Sequence, residues 1–280
     1  MRTLRTTAST ASLALALGAG VLAASTAQAV TANPASLSRT TWGQFRYDAA
    51  AGQINDLRVT AKTVDVGSED YYVVLITFRD KYDIALSTDQ CRYPSAADHK
   101  IVECTKTVGV GGTNDTDYFD AHLGDGNDTA TLTGPTLNSV YGGKGNDVLK
   151  GNSGSKPYGE DGNDRIDGGG GVYGEGSSGG AGNDTLTNCA VACHGGSGND
   201  TLVGTASGQL SGGLFGDDGN DVIHAGAGAD LVHGGKGDDK LYGDSGNDKI
   251  YGNSGNDLLH GGTGTDTLSG GPGTDRVYQN

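Results

Sequence analysis

The chain has 280 residues, of which 51 are Gly, and its formal net charge is −15 at pH 7. Residues 124–280 hold 43 of those glycines, and that much Gly in helix or strand interiors would cost roughly 0.5–1 kcal/mol per residue. Of the 34 acidic residues, 30 are Asp. The composition argues against an ordinary helical or α/β domain in the second half. The acidic balance disfavours nucleic acid and anionic membranes as partners and favours cations.

The first 29 residues have the pattern of a secretory signal peptide. Arg2 and Arg5 precede an apolar run at 13–24, and the small-residue sequence Ala-Gln-Ala follows at 27–29. Twelve apolar residues are too few to span a bilayer, which needs about 20; the alternative is a buried N-terminal helix. We predict cleavage after Ala29, which leaves 251 residues with a net charge of 17 − 34 = −17. The protein is therefore expected to be secreted, without membrane insertion.

Residues 30–122 have ordinary Gly content and short runs rich in Val, Ile, Thr and Tyr, which are typical of β-strands. The runs lie at 42–47, 57–62, 71–78, 82–86 and 100–108. They predict a small β-rich cap that covers the N-terminal end of the region after residue 122 and protects the open sheet edge of that region.

Four cysteines follow the signal peptide, and four cysteines allow three pairings. An exported protein meets an oxidising compartment, so we expect two local disulfides, Cys91–Cys104 and Cys189–Cys193. The competing interpretation is a zinc site made by Cys189, Cys193 and His194, although no second ligand pair lies at metal-binding spacing.

The C-terminal half is a nine-residue repeat. From Gly216 the chain reads GDDGNDVIH, AGAGADLVH, GGKGDDKLY, GDSGNDKIY, GNSGNDLLH, GGTGTDTLS and GGPGTDRVY. Position 4 is Gly, position 6 is Asp and position 8 is apolar in all seven units. This pattern resembles the RTX (hemolysin-type) calcium-binding repeat, GGxGxDxUx. With residues 30–122 included, the chain is similar to small secreted bacterial calcium-binding proteins of that family.

Elementary geometry agrees with the resemblance. Positions 1–6 form a turn in which Gly supplies positive φ angles, and positions 7–9 form a short strand whose middle side chain points inward. Two units complete a coil of 18 residues, so alternate turns stack about 4.8 Å apart on the two edges of a flattened solenoid. The fold class is therefore predicted to be all-β, a right-handed parallel β-roll over residues 123–280 preceded by the cap at 30–122.

The position-6 aspartates are the candidate metal ligands. Carboxylates and turn carbonyls between coils suit Ca²⁺, which takes 6–8 oxygens, better than Mg²⁺. One edge is predicted to carry Asp128, Asp147, Asp164, Asp184, Asp200, Asp221, Asp239, Asp257 and Asp275. The other edge is predicted to carry Asp230, Asp248 and Asp266. Nine stacked turns leave eight gaps and three leave two, so at most about ten calcium ions are expected.

The second edge lacks the Asp before residue 225. Complete units at 123, 142, 159, 179 and 195 alternate with incomplete ones. In the incomplete units we place Lys156, Tyr173 and Gln209 at position 6, which predicts no calcium there. The Cys189–Cys193 disulfide would fall on this edge and hold together a turn without metal.

Catalytic motifs are sparse, and no H-E-x-x-H sequence occurs. His224 and His260 share position 9 with Tyr242 and Tyr278, which indicates outward packing rather than a transition-metal site. We expect a secreted, non-enzymatic calcium-binding protein that folds on binding the metal, because one apolar side chain per nine residues cannot offset the ordering entropy of so much Gly. Two alternatives stay open: a calcium-dependent adhesive or scaffold protein with a cell-surface or matrix partner, and a small hydrolase in residues 30–122.

Overall fold

The computed structural model describes residues 33–110, 117–168, 176–205 and 212–279, and residues 32–280 form one compact unit. The predicted signal peptide, Tyr173 and Gln209 lie outside the described residues. All regular structure in the described ranges is β, as predicted. Within them, no helix is long and apolar enough to cross a bilayer.

Among the described residues, the cap contains seven strands. They are β1 (Ala35–Arg39), β2 (Phe45–Asp48), β3 (Asp56–Val64), β4 (Tyr71–Arg79), β5 (Ile84–Leu86), β6 (Cys91–Arg92) and β7 (Ile101–Gly109). All five predicted runs form strands, with shifted bounds; Trp42 lies in the turn before β2. The small polar strand β1 and the two-residue β6 were missed because neither has a β-type run of its own.

The described parts of the roll contain eighteen short strands in chain order. They are β8 (Phe119–His122), β9 (Thr129–Thr133), β10 (Asn138–Lys144), β11 (Val148–Lys150), β12 (Ser155–Asp161), β13 (Arg165–Asp167), β14 (Ser177–Ala181), β15 (Thr185–Cys189), β16 (Cys193–Ser197), β17 (Thr201–Gly204), β18 (Leu214–Asp218), β19 (Val222–His224), β20 (Leu231–Lys236), β21 (Lys240–Tyr242), β22 (Lys249–Ser254), β23 (Leu258–His260), β24 (Thr267–Ser269) and β25 (Arg276–Tyr278).

The strands of the roll alternate between two parallel sheets, which is the predicted β-solenoid. Even-numbered strands stack in one sheet and odd-numbered strands in the other. The cap continues both sheets: β2 pairs in parallel with β8, and β3 pairs in parallel with β9. Beyond them, β1 and β5 complete the first sheet, while β4, β7 and β6 complete the second by antiparallel pairing. The cap therefore covers the first coil, as expected.

The core is one stripe of inward side chains between the two sheets. In most strands of the roll, position 8 supplies one buried residue, such as Leu241 and Ile250, each 0% exposed, whereas Val277 in the last strand is 46% exposed. The cap adds larger groups, and Phe78 and Phe119 meet edge to face with centroids 5.2 Å apart. Most of the aromatic burial thus lies at the N-terminal end, and the stripe in the roll is only one aliphatic residue wide.

Both predicted disulfides are present, Cys91–Cys104 and Cys189–Cys193. All four sulfurs are therefore bonded, so the alternative zinc site is wrong. Cys189 ends β15 and Cys193 begins β16, which places this disulfide across a turn of the second edge, as predicted.

The position-4 glycines are required by both backbone conformation and packing. Gly237 has φ 121°, and a Cβ placed on it would overlap the carbonyl oxygen of Gly219 in the previous coil. We expect Gly237→Ala to destabilise the folded roll by about 3 kcal/mol or more, since strained φ alone costs of order 1–3 kcal/mol.

Thermal unfolding in saturating calcium measures this effect. Gly67→Ala is the matched control, because Gly67 also has positive φ (68°) but nothing lies within 4 Å of its added Cβ. Similar losses for the two variants would show that close stacking at position 4 is unimportant.

Candidate metal centre

The twelve predicted aspartates occupy two edges of the roll. Nine of them join an even-numbered strand to the following odd-numbered strand; we call this the first edge. Asp230, Asp248 and Asp266 lie on the opposite, second edge. Ten of the twelve are buried at 1–3% exposure, while Asp266 and Asp275 in the last turns are half-buried.

On each edge the aspartates form a continuous hydrogen-bonded ladder. After the first aspartate of each edge, every Oδ1 atom accepts the backbone N–H of the aspartate one coil earlier; Asp128 N lies 2.7 Å from Asp147 Oδ1, and Asp257 N lies 3.0 Å from Asp275 Oδ1. The second edge repeats the pattern from Asp230 to Asp248 to Asp266, at 2.9 and 3.0 Å. The predicted stacking of position 6 is therefore present on both edges.

The second carboxylate oxygen of these residues is buried without a partner. Oδ2 has no hydrogen-bond partner in Asp128, Asp147, Asp164, Asp184, Asp200, Asp221, Asp230, Asp239, Asp248, Asp257 and Asp266. An unpaired buried carboxylate oxygen is costly. The ladders therefore leave eleven buried carboxylate oxygens that accept no hydrogen bond, one at each successive turn.

The space in front of each Oδ2 also contains a carbonyl oxygen. A Cβ placed on Gly142 would overlap Asp147 Oδ2 and lie 2.7 Å from the carbonyl oxygen of Gly159 in the next coil. On the second edge, Gly243 is flanked in the same way by Asp248 Oδ2 and the Gly261 carbonyl. Ten of the twelve units have Gly at position 1, where a side chain would fill a cradle lined by oxygen atoms, the donor type that Ca²⁺ prefers; Leu123 and Ala225 are the exceptions.

In the absence of a cation, burial raises the pKa of nine of these carboxyl groups, and the charges of neighbouring acidic residues add to the effect in most of the nine: Asp128, Asp147, Asp164, Asp184, Asp200, Asp221, Asp239, Asp248 and Asp257. The pKa rises to about 7 for Asp147, Asp200 and Asp239. It rises to about 6 for Asp184, Asp221 and Asp248. Hydrogen bonds from the backbone oppose the rise without cancelling it. The ladder therefore favours a bound positive charge or a proton.

A second ladder, which the sequence analysis missed, runs beside the first through position 5. Asn127 Oδ1 accepts the N–H of Asn146 at 2.8 Å, and the same contact recurs along the first edge. The acceptors are Asn127, Asn146, Asn163, Asn183, Asn199, Asn220, Asp238 and Asn256. Asn precedes seven of the nine position-6 aspartates of the first edge, and this recurrence is the signal that could have revealed the second ladder.

This position-5 ladder predicts a difference between two substitutions. Asn199→Ala removes the acceptor for Asn220 N–H, which lies 2.8 Å from Asn199 Oδ1, and should cost about 1 kcal/mol. Asn199→Asp keeps the acceptor, as Asp238 does naturally. Chemical denaturation in saturating calcium should rank the Ala variant below both the Asp variant and the parent; equal stabilities of the Ala variant and the parent would contradict the role of the ladder.

The predicted occupants of position 6 on the second edge need one correction. Strand register places Ser155, not Lys156, at position 6, because Pro157 aligns with the inward Val140. Lys156 lies at position 7, and its Nζ is 3.3 Å from Asp117 Oδ1. The error arose because the incomplete turn is one residue shorter than a full unit, which sequence counting does not show.

Coil length varies while the first edge keeps its register. The spacing between hydrogen-bonded aspartates is 19, 17, 20, 16 and 21 residues from Asp128 to Asp221, and then 18 for each later coil. The second edge therefore contains every insertion and deletion until it acquires its own aspartates.

The position-9 aromatic residues stack along the outer faces of both sheets. On one face His224, Tyr242, His260 and Tyr278 form a continuous row with centroids 4.4–5.5 Å apart. Across the described ranges, no group of three or more His, Cys, Asp or Glu side chains converges on one point.

Parallel coils with buried, unpartnered turn carboxylates define a cation-binding β-solenoid. The family model of the RTX calcium-binding nonapeptide repeat matches residues 134–155, 158–172, 178–187, 194–207, 215–250 and 242–277. The chain therefore belongs to the proteins that carry RTX repeats, and its repeat region is a calcium-binding β-roll. No curated protein gives a significant match.

Proposed function

We propose that this protein is secreted, has no catalytic activity of its own, and folds its roll by binding several Ca²⁺ ions through the twelve position-6 aspartates. The observation that carries the proposal is the row of eleven buried Oδ2 atoms without a partner. At most about ten ions would fit, one in each gap between successive aspartates. Two disulfides and the signal-peptide pattern support an oxidising, extracellular location.

The chain's own residues determine where a cation would be held. Each Asp Oδ1 is already engaged by the previous coil, so Oδ2 is the oxygen left for a metal, together with the carbonyl of the position-1 Gly one coil later. Bound calcium would supply the positive charge that the stacked carboxylates lack. The Gly turns exclude side chains from the cradle, and the thin apolar stripe behind them keeps the coils in register.

Far-UV circular dichroism of the purified chain from Val30 tests the proposal. Starting from metal-stripped protein, we expect a cooperative gain of β signal with calcium and none with magnesium at the same concentration. A metal-stripped protein that already has its full β signal would overturn metal-coupled folding. An absence of calcium binding by isothermal titration calorimetry would overturn the proposal as a whole.

A second candidate, a calcium-dependent adhesive or scaffold role, is favoured by the cap surface. Trp42 is 83% exposed at the tip of the β1–β2 hairpin, and that turn is fixed by hydrogen bonds between Thr40 and Gln44. A rigidly presented Trp is an effective contact residue. Retention on cells in calcium should then fall in Trp42→Ala while its calcium titration stays unchanged; equal retention of the two proteins would remove this candidate.

A further inference from the structure

At the N-terminal end of the roll, the ladder of aspartates ends in an amide. Asn55 is 2% exposed and occupies the place of the position-6 Asp in the cap coil formed by β2 and β3. Its backbone N–H donates to Asp128 Oδ1, and its Nδ2 lies 3.2 Å from the same oxygen and 3.1 Å from the Leu123 carbonyl. A hydrogen-bond donor therefore faces Asp128 where a second carboxylate would otherwise stand.

Both carboxylate oxygens of Asp80, the buried acid of the cap coil, accept hydrogen bonds. Asp80 is 3% exposed, and its Oδ2 accepts the Tyr47 hydroxyl at 2.6 Å. Its Oδ1 accepts the N–H groups of Asp56 and Lys81 at 3.0 and 2.7 Å. In contrast to the ladder aspartates, Asp80 leaves no oxygen unpaired, so the cap coil is complete without a metal ion.

On the second edge, the chain provides its own cation. Lys156 precedes the inward Pro157 of β12, and its ammonium group pairs with Asp117, which lies just before β8; the two side chains are 15% and 9% exposed. Ser139 of β10 donates to the other oxygen of Asp117. This contact joins three successive coils at the edge that lacks position-6 aspartates.

The C-terminal coils, in contrast to the cap coil, contain many buried carboxylate oxygens that accept no hydrogen bond. From Asp221 to Asp266 the aspartates alternate between the two edges, and the buried Oδ2 atom of each accepts no hydrogen bond. The density of such Oδ2 atoms is thus lowest at the cap and doubles beyond residue 225, so more calcium is needed per coil toward the C terminus.

We propose that the cap coil, completed by Asn55 on the first edge and followed by the Lys156–Asp117 contact on the second, is a calcium-independent template on which calcium folds the remaining coils in order toward the C terminus. This inference rests on the proposed function, namely that calcium folds the roll. It adds a direction: as calcium is withdrawn, order is lost first in the coils that carry aspartates on both edges.

Hydrogen exchange measured by mass spectrometry during a calcium titration tests the direction. In metal-stripped protein, amides of β3, β4 and β7 should be protected, whereas those of β19–β25 should exchange freely. With rising calcium, protection should reach β9–β13 before β20–β25. Protection that begins at β25, or a cap that exchanges as fast as the roll, overturns the template. Calcium-independent exchange everywhere would instead contradict the proposed function itself.

A single substitution tests the role of Asn55. Asn55→Asp places a carboxylate against Asp128 and should speed exchange of β3 at least tenfold in metal-stripped protein, with recovery in calcium. Asn127→Asp is the matched control, because it adds the same charge to an exposed position-5 site that Asp fills naturally at 238, and it should leave β3 protected. Unchanged protection of β3 in Asn55→Asp, or a loss that calcium does not restore, would overturn the proposal.

Discussion

Asp239→Asn is expected to lower the melting temperature of the calcium-loaded protein by roughly 10 °C. Asp239 Oδ1 accepts the N–H of Asp221, and its own N–H donates to Asp257, so its carboxylate borders the gaps on both sides. Asn keeps the Oδ1 acceptor but replaces the buried, unpaired Oδ2 with an amide. Each ion stabilises the fold by about 2.7 kcal/mol at a free concentration one hundred times its Kd. The loss of one to two ions therefore removes about 3–5 kcal/mol of folding stability. In a chain of this size, each kcal/mol shifts the melting temperature by about 2–4 °C.

The adjacent residue offers a control with the same change in charge. Asp238 is exposed, and its Oδ1 accepts the N–H of Asn256 at 2.7 Å, a task that Asn performs in the other first-edge coils. Asp238→Asn should leave both the melting temperature and the calcium titration nearly unchanged. Equal effects of the two substitutions would mean that the calcium response reflects overall charge, and that position 6 has no special role.

Acid is expected to stabilise the metal-free roll and to destabilise the calcium-loaded one. The folded-state pKa values of Asp147, Asp200 and Asp239 are about 7, against about 3.8 for an ordinary Asp. The folded metal-free chain therefore binds more protons than the unfolded chain between these values, so its unfolding free energy falls as the pH rises through this window and recovers on acidification. Each such group accounts for about 4 kcal/mol at most.

In the calcium-loaded protein the effect of acid on stability is the opposite, because protons compete with calcium for the same carboxylates. Far-UV circular dichroism of the metal-stripped protein and urea unfolding of the calcium-loaded protein, each at pH 8 and pH 5.5, measure the two effects. We expect the β signal of the metal-stripped protein to increase at pH 5.5 and the urea midpoint of the calcium-loaded protein to decrease. If that β signal did not increase, or if that midpoint increased at pH 5.5, the shared site for protons and calcium would be wrong.

The nonapeptide pattern was enough to predict the roll, its two edges and the stacking of position 6. This was possible because each unit repeats the same local chemistry: Gly where φ is positive, Asp in the turn, and one apolar residue inward. The two disulfides were predicted for a similar reason, since each joins cysteines that are close in sequence. The metal-binding role of the individual aspartates stays a prediction.

Prediction failed where a role depends on pairing between distant segments. The sequence around Asn55 has no repeat pattern that predicts a coil. The place of Asn55 in the ladder is defined by the pairing of β3 with β9, more than 70 residues later. Lys156 was assigned to position 6 and lies at position 7, because the length of an irregular turn cannot be counted from the repeat. Only the pairing of the strands defines the register there. The ion pair of Lys156 with Asp117 joins segments 39 residues apart.

The variable coil length has a consequence for how such a chain can change over time. Up to residue 221 every gain or loss of residues is confined to the second edge, because the first edge must keep each carboxylate beneath the next. After 225 both edges carry that constraint, and the spacing is fixed at 18. The molecule thus combines a half that can accept inserted segments on one side with a half that can lengthen only by whole coils. New sequence, whether inherited or engineered, has its natural place on the second edge of the first half.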